Sequence, residues 1–338
     1  MKLSWKQYDL KLKHTFRISR SARDTAPVII IEFEHDGIVG YGEASPSKRY
    51  GESPETIVSF FQRINLSRFE NPFLLDEILM YADSIDHGNT SAKCAVDLAL
   101  HDWIGKKLGV PLYQLWGLNP KKTAKCSFTI AIDSKEVVEQ KVREAEEFPI
   151  LKIKLGLDND EEMINTIRKI TDKVLYVDAN EGWKDRNLAL ERLKWLKDQN
   201  VEFVEQPMPS EQFDDLKWLR DKSELPLIAD ESVLRLNEIP RLAEAFDGIN
   251  IKLMKCTGLR EAMRMINTAK ALNMKIMMGC MIETAVGISA GAHLSPLLDY
   301  ADLDGNVLIS NDPFDGVRNI RGELTLNNKP GLGVTLKG

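Results

Sequence analysis

The 338-residue sequence predicts an α/β chain in which a closed barrel of eight parallel strands follows a smaller α+β segment. Three observations lead there. From about residue 125 onward, short apolar runs alternate with amphipathic segments of helical period, the pattern of strands joined by covering helices. The runs are continuously apolar, as in sheets buried on both faces. Asp178, Glu205 and Asp230 close three successive runs at intervals of 25 to 27 residues, about one strand plus one helix, so they recur at one end of neighbouring strands.

Residues 1–120 read as the α+β domain. Val28–Phe33 and Ile38–Gly42 are strand-like, and the intervening HDG marks a hairpin; the glycines at 37, 40 and 42 fit that hairpin better than a dinucleotide loop. Pro54–Arg63, Pro72–Ser84 and Ser91–Leu108 follow at helical spacing. Residues 121–312 form the barrel, with strands CSFTIAI, ILKIKLG, VLYVDAN, VEFVEQP, LPLIADE, GINIKLM and KIMMGCM and a weaker eighth, YADLD. Helical segments such as Ser134–Phe148, Asn187–Gln199, Gln212–Asp221, Leu236–Phe246 and Leu259–Leu272 lie between them. The most apolar stretch, Ile276 to Leu294, is interrupted by Glu283 and several glycines, so it reads as a strand running into a packed helix, not a membrane span. Residues 313–338 carry turn signals and short strand-like pieces, and are expected to pack back onto the first domain.

A chain of this length buries a large core. The net charge of −6, with no basic run, argues against a nucleic-acid surface and points to small-molecule partners. MKLSWKQYDLKLKH has neither the apolar stretch nor the cleavage site of a signal peptide, so a cytoplasmic location is expected. Cys94, Cys126, Cys256 and Cys280 have no metal-type spacing and read as reduced buried thiols; the five histidines have no ligand spacing either.

The carboxyl ends of the strands are where a parallel barrel places its site. Three carboxylates there, without His or Cys, make a hard oxygen site for Mg²⁺, with Mn²⁺ as the alternative. Helix capping is the plain reading of one such acid, but three in register with lysines outweigh it. Asn180 and Gln206 are candidates for supporting the ligands. Lys152 and Lys154 are two apart, so both point into the barrel; each should depress the other's pKa, tuning a general base. Lys252 lies four strands farther round and approaches from the opposite wall, whereas Lys255 points away by alternation and is assigned to structure. Opposed bases flanking a metal suit removal of a proton from one face of a carbon and its return to the other. A carbon α to a carboxylate is acidified when Mg²⁺ stabilises the enediolate.

These residues, in LKIKLG, VDAN, VEQP, ADES and INIKLMKCTG, together with YGEASP at Tyr41 to Pro46, resemble the enolase superfamily in its muconate-lactonizing subgroup over essentially the whole chain. The resemblance implies a (β/α)7β TIM-type barrel whose mouth is capped by the N-terminal α+β domain, completed by the C-terminal tail. Asp302-Leu303-Asp304 looks like the Asp-x-Asp motif of the dipeptide epimerases, which holds a dipeptide's α-ammonium, and GCMIET is similar to theirs. It implies a Mg²⁺-dependent epimerase acting on the C-terminal residue of Ala-Xaa-type dipeptides. In it Lys154 and Lys252 exchange the α-proton, Lys152 biases Lys154, Asp302 and Asp304 anchor the ammonium, and Thr129 hydrogen-bonds the substrate. The loop FRISRSARDTA departs from the pattern: an Arg is expected for a Glu side chain, with Arg17, Arg20 and Arg23 as candidates and Arg20 taken as the contact. Met278, Met281 and Ile18 are the apolar alternative, and Met281 is counted among the substrate contacts. Rival readings are an N-succinylamino acid racemase or o-succinylbenzoate synthase, whose substrates lack a free ammonium, a Schiff-base lysine barrel, and a non-catalytic metal-binding barrel. A homo-oligomer is compatible with all of them.

Overall fold

The computed structural model describes all of residues 1–338. The chain opens with an antiparallel sheet of β1 (Lys2–Ile18), β2 (Ser21–His35) and β3 (Ile38–Ala44). Asp36 and Gly37 join β2 to β3 with φ of 50° and 72°, the two-residue turn whose twist matches a hairpin. Helices α1 (Pro54–Arg63), α2 (Leu75–Ser84) and α3 (Thr90–Leu108) pack with this sheet around their own apolar core. Only Gly37 serves the turn. A Cβ on Gly40 or Gly42 would stand 2.1 or 1.9 Å from the carbonyl oxygens of Ala99 and Ala95, so those two glycines let α3 lie close on β3.

After a one-turn α4 (Leu112–Leu115) come β4 (Phe128–Ile130), β5 (Ile150–Lys154), β6 (Val174–Asp178), β7 (Val201–Glu205), β8 (Leu227–Ala229), β9 (Gly248–Lys252), β10 (Lys275–Gly279) and β11 (Tyr300–Asp302). They are parallel and neighbour one another in sequence order. A bridge between Cys126 and Ala301, with Ser127 N donating to Ala301 O at 3.0 Å, closes the ring. The covering helices are α5 (Lys135–Glu144), α6 (Asp160–Arg168), α7 (Arg186–Lys197), α8 (Phe213–Arg220), α9 (Ile239–Leu242), α10 (Leu253–Cys256), α11 (Leu259–Ala271) and α12 (Ala285–Leu294). The helix expected over Leu236–Phe246 is only a 3-10 turn followed by α9, because Pro240 is tolerated only in a first turn.

Period two sorts the barrel interior into layers. Tyr176, Phe203, Ile228 and Met277 form an apolar floor with Tyr300; the Tyr176 and Phe203 rings lie 4.4 Å apart. Two residues farther along the same strands stand Asp178, Glu205, Asp230, Gly279 and Asp302. The floor is thus largely apolar and the rim polar.

The tail lies against α3, α4 and β3. Leu332 N donates to Asp102 Oδ1 at 2.8 Å, Tyr113 donates to Asn328 at 2.8 Å, and the Phe314 ring meets Tyr41 edge-on at 5.1 Å. All four cysteines are free thiols, three of them buried and Cys280 partly so. No helix is long and apolar enough to cross a membrane.

Candidate active site

Asp178 and Glu205 are the last residues of β6 and β7, and Asp230 follows β8 directly. All three are buried, and one carboxylate oxygen from each lies within 4.8 Å of the others. Three hard oxygen donors this close, surrounded by ammonium groups, fit a divalent cation of the Mg²⁺ type. The backbone N–H of Asn180 donates to Asp178 Oδ1 at 2.9 Å, and Gln206 Oε1 accepts from Asp230 N at 3.0 Å, so both following residues brace a ligand loop. Asn180 and Gln206 have positive φ, 44° and 36°, a strained conformation concentrated beside the triad. Sequence reasoning missed Asn250, which donates to Glu205 Oε1 at 2.7 Å. The signal was present: Asn250 is two residues before Lys252 and so shares its inward face. Gly279, on the adjacent strand, makes the space, since a Cβ there would stand 2.8 Å from the Asn250 amide.

The lysines divide the triad among themselves. Lys154 Nζ is 2.6 Å from Asp178 Oδ2, and Lys252 Nζ is 2.8 Å from Asp230 Oδ2. Lys152 Nζ sits between Glu205 (2.6 Å), Asp302 (2.8 Å) and Asp178 (3.4 Å). The expected mutual depression of the paired lysines fails for Lys152. Burial alone would lower it, but Asp302, Glu205 and Asp178 hold it well above the usual range. Lys252 is likewise raised, with Asp230 and Glu205 outweighing burial. Asp178 is held at about 2 by Lys154 and Lys152 against the opposing effect of burial, whereas burial and Asp178 push Glu205 up to about 7. Lys255 also departs from expectation. The strand ends at Lys252 and α10 turns the chain back, so Lys255 Nζ reaches Asp230 Oδ1 at 2.5 Å and its carbonyl at 2.6 Å.

A cavity of about 670 Å³ lies over this rim, lined by strand ends and by the loops around Arg20 and Tyr50. Asp302 accepts from Ser127 Oγ and Lys152, both at 2.8 Å. Asp304 accepts from Thr129 N at 2.7 Å; the Thr129 hydroxyl is 3.4 Å from Asp302. Ile18 and Met281 face the cavity, but Met278 is buried in the core outside the barrel because its neighbours Met277 and Gly279 take the inward positions. Arg17 does not line the cavity. Arg20 does, but its guanidinium is engaged with Glu231 at 2.6 Å and Asn180 O at 3.1 Å. Arg23 lines the cavity, makes no hydrogen bond or ion pair with the protein, and is lowered in pKa by burial.

A capped parallel barrel with a strand-end acid triad and opposed lysines defines a class of metal-assisted proton-transfer enzymes. Two family descriptions match this chain, "Mandelate racemase / muconate lactonizing enzyme, N-terminal domain" over residues 6–117 and "Enolase C-terminal domain-like" over residues 135–338. The chain belongs to the enolase superfamily, in the mandelate racemase and muconate lactonizing enzyme family. It is 52% identical to an L-Ala-D/L-Glu epimerase of Bacteroides thetaiotaomicron over 99% of this chain and 88% of that protein. It is 30% identical to an N-succinyl-L-Arg/Lys racemase of Bacillus cereus, over 97% of this chain and 92% of that one. A crystal structure of a dipeptide epimerase from Enterococcus faecalis with Mg and L-Leu-L-Tyr matches with a TM-score of 0.90 at 33% identity, covering 98% of both chains.

Proposed function

We propose that this chain is a Mg²⁺-dependent dipeptide epimerase, an isomerase that inverts the α-carbon of the C-terminal residue of Ala-Xaa dipeptides. The observation that carries the reading is the position of Lys154 and Lys252 on β5 and β9, four strands apart around the barrel, each beside a different carboxylate of the triad. In this reading Asp178, Glu205 and Asp230 hold the metal. Bound Mg²⁺ supplies a site for the substrate carboxylate and charge to stabilise the enediolate. With Asp178 and Asp230 turned to the metal, Lys154 and Lys252 would be released from their carboxylate partners, one to act as the neutral base and the other, as an ammonium, to act as the acid. One lysine takes the α-proton and the other returns one to the opposite face. Lys152, linking Glu205 to Asp302, keeps positive charge beside both ends of the site. Asp302 and Asp304 take the ammonium, and Thr129 fixes Asp304.

Arg23, with its guanidinium unpaired, takes an acidic second residue, whereas Arg20, the contact expected from the sequence, is already paired with Glu231. The L-Ala-D/L-Glu activity named for the Bacteroides relative supports that preference. A division into a cap (1–120), a barrel (121–312) and a tail (313–338) suits this chemistry, because cap loops complete a cavity whose reacting groups all stand on barrel strands. Four unpaired cysteines support a reducing, cytoplasmic setting.

The experiment is α-proton exchange in D₂O. L-Ala-L-Glu should epimerise with deuterium uptake. Lys154→Ala and Lys252→Ala should each lose epimerisation, one retaining α-proton exchange of one epimer and the other that of the second epimer. Epimerisation near the parent rate in either variant refutes the two-base assignment. Equal rates on N-acetylated dipeptides would move the chain to the N-succinylamino acid racemase reading.

A further inference from the structure

Beside the catalytic cavity lies a second one of about 220 Å³, between the outer face of β4, helix α5 and the Leu12–Phe16 segment of β1. Phe16, Thr129 and Leu308 line both, so the two are separated by little more than these three side chains. This shared wall stands at one end of the site, where Thr129 N donates to Asp304 Oδ2 at 2.7 Å. The chamber is largely apolar. Phe128 and Phe148, their rings 4.7 Å apart, and Val307 face into it, while the His14–Glu144 pair at 3.0 Å closes its outer end.

None of the reacting groups uses this space. A dipeptide whose carboxylate lies at the triad and whose ammonium lies at Asp302 and Asp304 has both chain ends fixed, so only a side chain can extend farther. The side chain that starts beside the ammonium is that of the first residue. We propose that the 220 Å³ chamber receives an apolar side chain of the first residue, so that the enzyme accepts dipeptides beginning with Leu or Phe as well as Ala. This rests on the dipeptide reading above.

The size is sufficient, since an engineered apolar cavity of about 150 Å³ takes up benzene. Entry lies past Phe16 and Leu308, which are only half-buried. The β1–β2 register shifts between Lys11 and Phe16, so the intervening residues have no ladder partners on β2; Lys13 N donates instead to Leu308 O at 2.9 Å, so backbone holds the entry and only side chains need move. Rotamer changes in such a segment are fast relative to turnover.

The test compares kcat/KM of the full chain, with Mg²⁺, for L-Ala-L-Glu, L-Leu-L-Glu and L-Phe-L-Glu, the second residue held constant. The parent enzyme should turn over all three within roughly ten-fold of one another. Val307→Trp fills the chamber and should lower kcat/KM for L-Leu-L-Glu by at least about ten-fold, mainly through KM, with L-Ala-L-Glu changed by less than about two-fold. Leu12→Trp fills it from another wall and serves if the first variant fails to fold. Turnover of L-Ala-L-Glu without that of L-Leu-L-Glu by the parent overturns the chamber assignment alone. So does equal loss on both substrates, or no loss, in a folded filled variant. Failure to epimerise any dipeptide would instead bring down the dipeptide reading, and this inference with it.

Discussion

Asp302 and Asp304 stand two residues apart, yet their surroundings shift their pKa values in opposite directions. Burial opposes ionisation of Asp302, but Lys152 and Lys154 outweigh it and keep it charged. Burial and the charge on Asp302 push Asp304 up to about 7. If both must be ionised to hold an ammonium, kcat/KM for a dipeptide rises with pH through about 7 and falls as the substrate's α-ammonium deprotonates near pH 8. Asp304→Asn should remove the rising limb and lower kcat/KM at least ten-fold, by roughly the value of one charge-assisted hydrogen bond; an unchanged limb in the pH–rate profile would show that another group titrates there. Arg23→Gln should cut kcat/KM for L-Ala-L-Glu by about a hundred-fold while leaving L-Ala-L-Gln nearly untouched, as loss of one charged pair predicts. An equal effect on both substrates would deny Arg23 its role. The choice between Arg20 and Arg23 was not legible in the sequence, because it turns on Glu231, more than 200 residues away along the chain. The placing of Asp302 and the three acids at the barrel rim was legible, since a charge closing an apolar strand has few explanations.

Strands and helices with a strong apolar period were readable: α1 spans Pro54–Arg63 as its spacing predicts. β1 was missed because its polar, mostly exposed residues offer little apolar pattern, and α10 because a single turn has no period to read. The joints between elements were invisible as well. Glu43, near the end of β3, accepts from Thr284 N at 2.8 Å, the Thr284 hydroxyl at 2.7 Å and Gly287 N at 2.9 Å, all at the start of α12. Glu283 accepts from Met281 N at 2.7 Å beside it, with Asp312 facing Glu43 and Lys252 facing Glu283. Burial and mutual repulsion push Glu283 up to about 8, and burial pushes Glu43 up to about 7. Both titrate higher folded than unfolded, so the stability tied to their protons is complete below the unfolded value of 4.5 and is lost as pH rises through 7 and 8. Glu283→Gln keeps an acceptor for Met281 N and should raise Tm at pH 9 by ~2–4 °C, with no gain at pH 5. Calorimetry at the two pH values checks it, and an equal shift at both would exclude titration as the cause. Gly279→Ala tests the β9–β10 joint: by displacing Asn250 from Glu205 it should weaken Mg²⁺ binding about ten-fold or more in titration calorimetry. Unchanged affinity would make Asn250 merely structural.

At the scale of the whole molecule, charged contacts between cap and barrel reach the edge of the triad. Arg49 holds Glu181 at 3.0 and 3.2 Å, and Arg20 holds Glu231 at 2.6 Å; these acids follow Asp178 by three residues and Asp230 by one. Loops from the cap therefore grip the barrel rim immediately beside the triad. Three buried carboxylates within 4.8 Å of one another repel, and without a cation that repulsion is offset by lysines and by protonation of Glu205 near pH 7. A divalent cation relieves it directly, and because a scattered triad in the unfolded chain binds no metal well, binding is also folding free energy. At a free concentration a hundred times its Kd, Mg²⁺ should stabilise the fold by about 2.7 kcal/mol, so Tm should climb steadily with its logarithm. Excess EDTA should abolish turnover and cancel that increment together. Glu205→Gln removes one ligand charge and should lose both the Tm response and the activity while still folding, since the amide keeps an acceptor for Asn250. Full turnover in EDTA, or a Tm indifferent to Mg²⁺ in the parent protein, would mean that the triad holds no metal and that the lysines serve some other chemistry.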